Sequence, residues 1–264
     1  MEFLNTATLP LYVSLIIMTF AYVLALKINY FSLVDVVWSY LFTVVVFIYA
    51  GVANHLPLRN YLLLFIVSFW SIRLGTHLVF RLKSHYPHED GRYDDLRAKW
   101  AKNLKLNFFF FYLFQGLSVV ILSLPFLLIV LNPQPTMHWL EWLGIAVWLI
   151  GLTGESLSDH QLKVFKSNPG NKGKVCEMGL WNYSRHPNYF FEWLVWVGYF
   201  LFALSAPYGW LAIISPAIIL YLLLKMTGIP YTEAQSIKSR GEVYRNYQRT
   251  TSMFVPWFKK KIAN

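Results

Sequence analysis

The chain predicts an all-α fold: a polytopic membrane protein built as a seven-transmembrane helix bundle, with its own loops forming a cytoplasmic cap. Three observations carry the fold class. Of 264 residues, 56% are hydrophobic and only 14% charged. Mean hydropathy is +0.43 and aromatic residues make up 19%, which sets the chain apart from soluble domains. The basic residues are also segregated into alternate connections, a pattern that membrane topology demands.

A span needs roughly 17 to 25 mainly apolar residues. Seven runs qualify: 8–26, 33–53, 60–80, 107–131, 138–156, 189–206 and 208–227. The first follows Glu2 rather than a basic segment, so no cleavable signal peptide is expected. The fifth carries Glu141 and Glu155 near its ends, within reach of headgroups. The last two are joined by Ser205-Ala206-Pro207-Tyr208-Gly209, a tight turn.

The connections orient the bundle. Residues 81–106 carry Arg81, Lys83, Arg92, Arg97, Lys99, Lys102 and Lys105. Residues 157–188 carry Lys163, Lys166, Lys172, Lys174 and Arg185, and the tail from Lys225 carries eight Lys or Arg. The alternate connections are nearly bare: 54–59 has Arg59, and 132–137 has none. Positive-inside bias then places the N-terminus outside and the C-terminus in the cytoplasm, with the bacterial inner membrane as the expected location. A single membrane domain, 1–264, is expected. The net charge of +10 is accounted for by these loops, so no nucleic-acid partner is expected. A single Cys176 excludes an intrachain disulfide, and no HExxH or compact His/carboxylate cluster points to a metal.

Ionisable residues inside the spans come next. Asp35 stands near the start of the second span. Arg73 and His77 stand four apart on one face of the third, and Glu192 opens the sixth. Such groups usually face the bundle interior and often mark a cavity. An Asp35–Arg73 ion pair and a capping Asp35 are the structural alternatives.

The stretch from Gly179 to Glu192 is the most informative. It packs Trp181, Tyr183, Arg185, His186, Asn188, Tyr189 and Glu192 directly before a lipid-compatible run. Polar groups at the edge of a span are costly unless they meet a ligand or each other. Arg and Lys suit phosphate oxygens, and aromatic rings suit a nucleobase or nicotinamide. Neither GxGxxG nor GxxxxGK[ST] occurs, so any nucleotide site is of another kind.

The string GLWNYSRHPNYFFEWLVWVGYF (residues 179–200), with SDHQLKVFK (158–166), EDGRYDDLR (89–97) and YRNYQRTTSMFVPWF (244–258), resembles the membrane steroid 5α-reductase-like family, in its bacterial DUF1295 branch. Sterol reductases and isoprenylcysteine or phospholipid methyltransferases share a looser core of the same superfamily. The resemblance covers roughly residues 30–258, with the family's C-terminal region at about 107–258. It implies seven spans, a cytoplasmic C-terminus and NADPH as cofactor. It carries cofactor contacts onto Asn188 and Glu192, onto Asp159 with Lys166, and onto Lys174 and Arg92. Two positions where animal steroid reductases hold Arg are Lys here, and Lys is a point charge rather than a bidentate fork. Asp35 stands for the carboxylate that polarises a substrate ketone. Leu78 occupies the place of the family's tyrosine, with His77 beside it.

The expected function is therefore an NADPH-dependent reductase of a lipidic enone, a 3-oxo-steroid or similar lipid. Asp35, with a pKa raised by burial, and His77 would polarise the carbonyl. Arg92, Asp159, Lys166, Lys174, Trp181, Tyr183, Arg185, His186, Asn188, Tyr189 and Glu192 would hold the cofactor. A packed, structural His77 is the alternative for that residue. An S-adenosylmethionine-dependent methyltransferase and a non-enzymatic lipid-binding protein are the rival functions. The expected partners are a lipophilic small molecule and membrane lipid, and the expected state is a monomer.

Overall fold

The computed structural model describes residues 2–52, 56–89, 91–226 and 228–260, and the side chains of these except residues 2–5 and 85. Position 53 of the expected second span, Asp90 of the first basic loop and Lys261 of the tail lie outside the described residues. The described regular elements are helical, with one isolated bridge between Ser184 and Ser252. The protein is an all-α, polytopic membrane protein. Six stretches of the described residues are long and apolar enough to cross a bilayer: Thr6–Ile28, Leu33–Val52, Leu58–Ser84, Ala101–Val130, Trp139–Ser167 and Gly209–Arg240. The expected sixth span is a helix of 17 residues, Pro187–Ala203, at the lower limit of a span's length.

The chain divides into two compact units: residues 1–137 with 205–211, and residues 138–204 with 212–264.

The first unit holds α1 (Glu2–Ile28), α2 (Leu33–Val52), α3 (Leu58–His85), α4 (Gly91–Lys99), α5 (Leu104–Leu122) and α6 (Leu124–Val130). Aromatic side chains fill its core. Phe42 meets Trp38 edge-on and lies against Trp70, and Phe31 stacks on Phe108 at 3.9 Å between centroids. Two polar tips of aromatic side chains in this core find partners. Tyr112 donates to the Phe31 carbonyl (2.8 Å) and the Trp38 indole to Ser118 Oγ (3.0 Å). The expected fourth span is two helices, because Pro125 at the start of α6 lacks the N–H that would continue α5. Arg59, read from sequence as a lone loop cation, is 1% exposed. It donates to the carbonyls of Asn132 (3.2 Å), Thr136 (2.6 Å) and Gln134, so it closes the distant 132–137 connection from within.

The second unit holds α7 (Trp139–Ser167), α8 (Pro187–Ala203), α9 (Ile214–Tyr221), α10 (Ile229–Arg240) and α11 (Glu242–Thr250). His138 caps α7: its ring accepts from Leu140 N (3.3 Å), and Glu141 accepts from His138 N (2.6 Å). Buried Glu141 is therefore part of a capping box, not a headgroup contact. The helix runs to Ser167, past the expected end at 156, because no breaker intervenes before Pro169-Gly170. Asp159 and Lys166, expected in a loop, thus stand on a helix of 29 residues, about 44 Å long at 1.5 Å per residue. The expected last span, 208–227, is a chain of shorter pieces: a 3₁₀ turn at Gly209–Ile213, α9, a π turn at Leu222–Met226, then α10 after Gly228. Pro216 inside α9 and Pro230 at the head of α10 each remove a helix N–H.

Glycines set how α7 meets α8. A Cβ at Gly144 would fall 2.5 Å from Phe202 N, one at Gly151 2.7 Å from Val195 N, and one at Gly198 2.7 Å from Trp148 N. Gly154 receives the ring of Phe191. The two backbones touch directly, as small-residue stripes allow in membrane helices.

Candidate functional site

The residues around the Arg-His-Pro segment are built from the second unit. At Gly179 φ is +56°, a left-handed conformation that favours glycine. A Cβ there would also run into the Gln161 amide. Gln161 accepts from Leu180 N (3.0 Å), and the Trp181 indole donates to the Ser158 carbonyl (2.9 Å). Both contacts pin the loop to the C-terminal third of α7. From the other side, Tyr247 of α11 donates its hydroxyl to the carbonyls of Trp181 and Ser184. Burial pushes that hydroxyl's pKa up, so it stays a donor.

Arg185 is nearly buried and turned inward. Its Nε donates to Glu233 Oε1 (2.6 Å), and its Nη1 donates to the carbonyls of Gln248 (3.0 Å) and Thr251 (2.6 Å). His186 Nε2 lies 3.3 Å from the same Glu233 oxygen. Gln248 donates to the other carboxylate oxygen at 2.8 Å. The His186 ring stacks on Tyr189, whose hydroxyl meets Thr232 Oγ1 at 3.1 Å. Burial lowers the pKa of His186, against the opposing pull of Glu233. These groups tie the segment to α10 and α11.

A different face of α8 looks toward α7. Asn188 Nδ2 donates to Asp159 Oδ1 at 3.3 Å. One turn on, Glu192 accepts from the Trp196 indole at 3.0 Å. This amide and two carboxylates have the donors and acceptors to meet ribose hydroxyls or a carboxamide. Lys166 and Lys174 are exposed. Arg240 donates to the Lys174 carbonyl (2.9 Å), fixing that loop. Tyr183 is also exposed, and its ring meets Phe258 edge-on. Cys176 is buried, which raises its pKa.

Asp35, His77 and Arg92 belong to the first unit. Arg92, expected among the cofactor cations, pairs with Asp35 at 2.6 Å. Its Nη2 also meets the Tyr93 hydroxyl at 3.1 Å. Tyr93 is fully buried, and burial with the Asp35 charge holds its pKa well above the ordinary value. Asp35 opens onto a small recess lined by Tyr30, Ser32, Val36, Leu78, Arg81 and Leu82. His77 is an exposed residue of α3. The recess is held by a second ion pair: Glu89 accepts from Ser32 N (2.9 Å) and from Arg97 Nε (2.6 Å).

Sequence reasoning missed Glu233, Gln248, Tyr247 and Tyr93. Glu233 offered one weak signal: a carboxylate three residues after the helix-opening Pro230, with no basic residue within a turn of it. The others carry no motif and are recognised only by what they touch.

The family DUF1295, described as a protein of unknown function, matches residues 21–251. An uncharacterised protein of Schizosaccharomyces pombe is 26% identical over 261 residues, covering 85% of this chain and 72% of its own. A probable O-methyltransferase of Ustilaginoidea virens is 46% identical over 46 residues, covering 17% of this chain and 16% of its own. Among the described residues no group of three or more His, Cys, Asp or Glu could hold a metal ion.

Proposed function

The chain belongs to the DUF1295 family, and on that premise we propose that it is a membrane reductase that saturates the C=C bond of a lipidic enone with NADPH. The 3-oxo-steroids and similar lipids are the substrate class. The observation that carries this reading is the Asn188–Asp159 pair with Glu192 one turn along, in the same unit as exposed Lys166 and Lys174. Together they offer acceptors for sugar and carboxamide and cations for phosphate. NADPH supplies the hydride when bound. The chain's own residues position and polarise. Asn188, Asp159 and Glu192 orient the sugar and carboxamide, Lys166 and Lys174 meet phosphate, and Trp181, Tyr183 and Tyr189 frame the rings. Arg185 and His186 act one step back, holding that frame on Glu233.

On the substrate side, the recess beside Asp35 supports a polar end-group reading. In its ion pair Asp35 is an acceptor, so the hydrogens offered there are those of Arg92. A fixed cation beside a carbonyl oxygen stabilises the charge that develops as hydride adds to the β-carbon. Arg92 thus moves in our reading from cofactor to carbonyl, with Asp35 aiming it. His77, exposed on α3 and not among the residues that line this recess, takes no part in our reading.

A second reading, methyl transfer from S-adenosylmethionine, is favoured by the short match to a probable O-methyltransferase. That donor carries no phosphate, so Lys166 and Lys174 would have no partner in it. Titration of the intrinsic tryptophan fluorescence decides. We expect saturation with NADPH, weakened at least about tenfold, or 1.4 kcal/mol, in Asn188→Ala and in Glu192→Ala. Saturation by S-adenosylmethionine alone transfers the assignment to the second reading. Saturation by neither leaves a lipid-binding protein. Full turnover by Arg92→Gln or Asp35→Asn removes the carbonyl assignment.

A further inference from the structure

Residues 251–260, after α11, form an irregular strap that folds back on itself and is stitched to the Arg-His-Pro segment. Arg185 N donates to the Ser252 carbonyl (2.8 Å), Ser184 Oγ to the Phe254 carbonyl (2.8 Å), and Trp257 N to the Tyr183 carbonyl (2.9 Å). Lys260 N closes back on the Thr250 carbonyl at 2.8 Å. The strap's backbone is therefore fixed, and its outward side chains are held in place.

Those outward side chains are apolar and then basic. Val255 is 52% exposed, Trp257 68% and Phe258 73%. Lys259, exposed but ion-paired with Glu177, and exposed Lys260 follow directly. Phe254, pointing inward, packs on Phe190 and Trp193 in the first two turns of α8 (5.6 and 5.9 Å between centroids). The same segment is pinned through Trp181 to Ser158, which lies inside the apolar span Trp139–Ser167. The strap thus sits beside the point where α8 begins, and its partner segment is pinned to the last third of α7. Large apolar groups held outward at that level would meet water on a soluble protein. In a membrane protein such groups suit the interfacial zone, where Trp and Phe are favoured and Lys reaches anionic headgroups.

We propose that residues 253–260 are an interfacial anchor that seats Val255, Trp257 and Phe258 in the headgroup region of an anionic bilayer, with Lys260 on its phosphates and Lys259, held by Glu177, beside them. The occupant is the lipid surface, chosen by the pairing of apolar and basic side chains and by the neighbouring span. The inference does not rest on the reductase reading. It concerns how the tail is seated, whichever cofactor is bound.

The test uses the full chain in lipid nanodiscs. The difference in emission between wild type and Trp257→Phe isolates the signal of Trp257. We expect brominated lipid to quench that signal and aqueous acrylamide to leave it largely untouched. Quenching should be about twofold or more stronger in phosphatidylcholine–phosphatidylglycerol discs than in pure phosphatidylcholine. The Lys259→Gln/Lys260→Gln variant should abolish the difference between the two lipids. Quenching by acrylamide but not by bromine would place the tail in water and overturn the proposal. Protection from both would mean a second copy or another protein covers it, and equal quenching in both lipids would remove the anionic surface. Each of these also overturns it. A nitroxide at Phe258→Cys, read by its accessibility to oxygen against a water-soluble relaxant, repeats the measurement without Trp257. A water-exposed label there would overturn the proposal as well.

Discussion

Arg185 commits its Nε and Nη1 groups to Glu233 and two backbone carbonyls, and this makes it a structural residue in an apparently functional motif. Removing it takes the fixed cation from a carboxylate that is only 15% exposed and leaves it with Gln248 and His186. Arg185→Ala should therefore destabilise the protein by about 3–5 kcal/mol. Glu233→Gln, which keeps an acceptor for the guanidinium, should cost less, about 1–2 kcal/mol. Thermal unfolding in detergent checks both. An unchanged melting temperature in Arg185→Ala, with cofactor binding lost, would return Arg185 to the ligand. His186 sets a pH dependence of known sign. Its folded pKa lies below 6.5, so in the window between the two values the unfolded chain holds more protons, and stability rises with pH. The contribution is present above about pH 6.5 and is lost as pH falls toward the lower folded value. His186→Gln should flatten that part of a melting-temperature profile between pH 7 and 5. A slope unchanged in His186→Gln would assign it to another group.

At the scale of elements, the α7–α8 pair depends on the absence of side chains. Gly144, Gly151 and Gly198 bring backbone to backbone, and no rotamer change makes room for a Cβ at under 3 Å from a main-chain nitrogen. Gly198→Leu should push the helices apart and cost about 3 kcal/mol or more. Gly51, whose added Cβ would meet nothing within 4 Å, should tolerate alanine. The pair of variants distinguishes lost packing from a general intolerance of substitution, and thermal unfolding of both in the same detergent reads it. The same parting of helices should separate Asn188 from Asp159, so Gly198→Leu should weaken any ligand that uses both. The length of α7 was only partly legible. Its apolar stretch marks the span, but its extension through Asp159 and Lys166 depends on the missing breaker before Pro169, and hydropathy says nothing about a solvated helical end.

For the whole molecule, charge segregation leads us to expect a cytoplasmic C-terminus, with the tail, the 157–188 segment and the 81–106 segment on the same side. A C-terminal reporter that is active only in the cytoplasm should be active, and one that is active only after export should be silent. The reverse result would overturn the orientation and with it the cytoplasmic access of NADPH. Arg59 illustrates how charge counting works and where it stops. It is the one basic residue of the short 54–59 connection, and it is buried on three carbonyls. It therefore orients a loop rather than marking a side of the membrane.

The amino-acid sequence by itself determined the helical membrane architecture, because spans of about 20 apolar residues and segregated charge have one physical solution in lipid. It also singled out residues 179–192, since polar groups at the edge of a span require partners. Which partners they have was decided by the tertiary structure. Arg185 and His186 turn to Glu233, nearly fifty positions away, while Asn188 turns to Asp159 on α7. Asp35 meets Arg92 across a helix, a loop and 57 positions. Neither choice leaves a local pattern, because an ion pair depends on distance in space. Residues that share one motif are thereby separated into those that hold the frame and those that face the ligand.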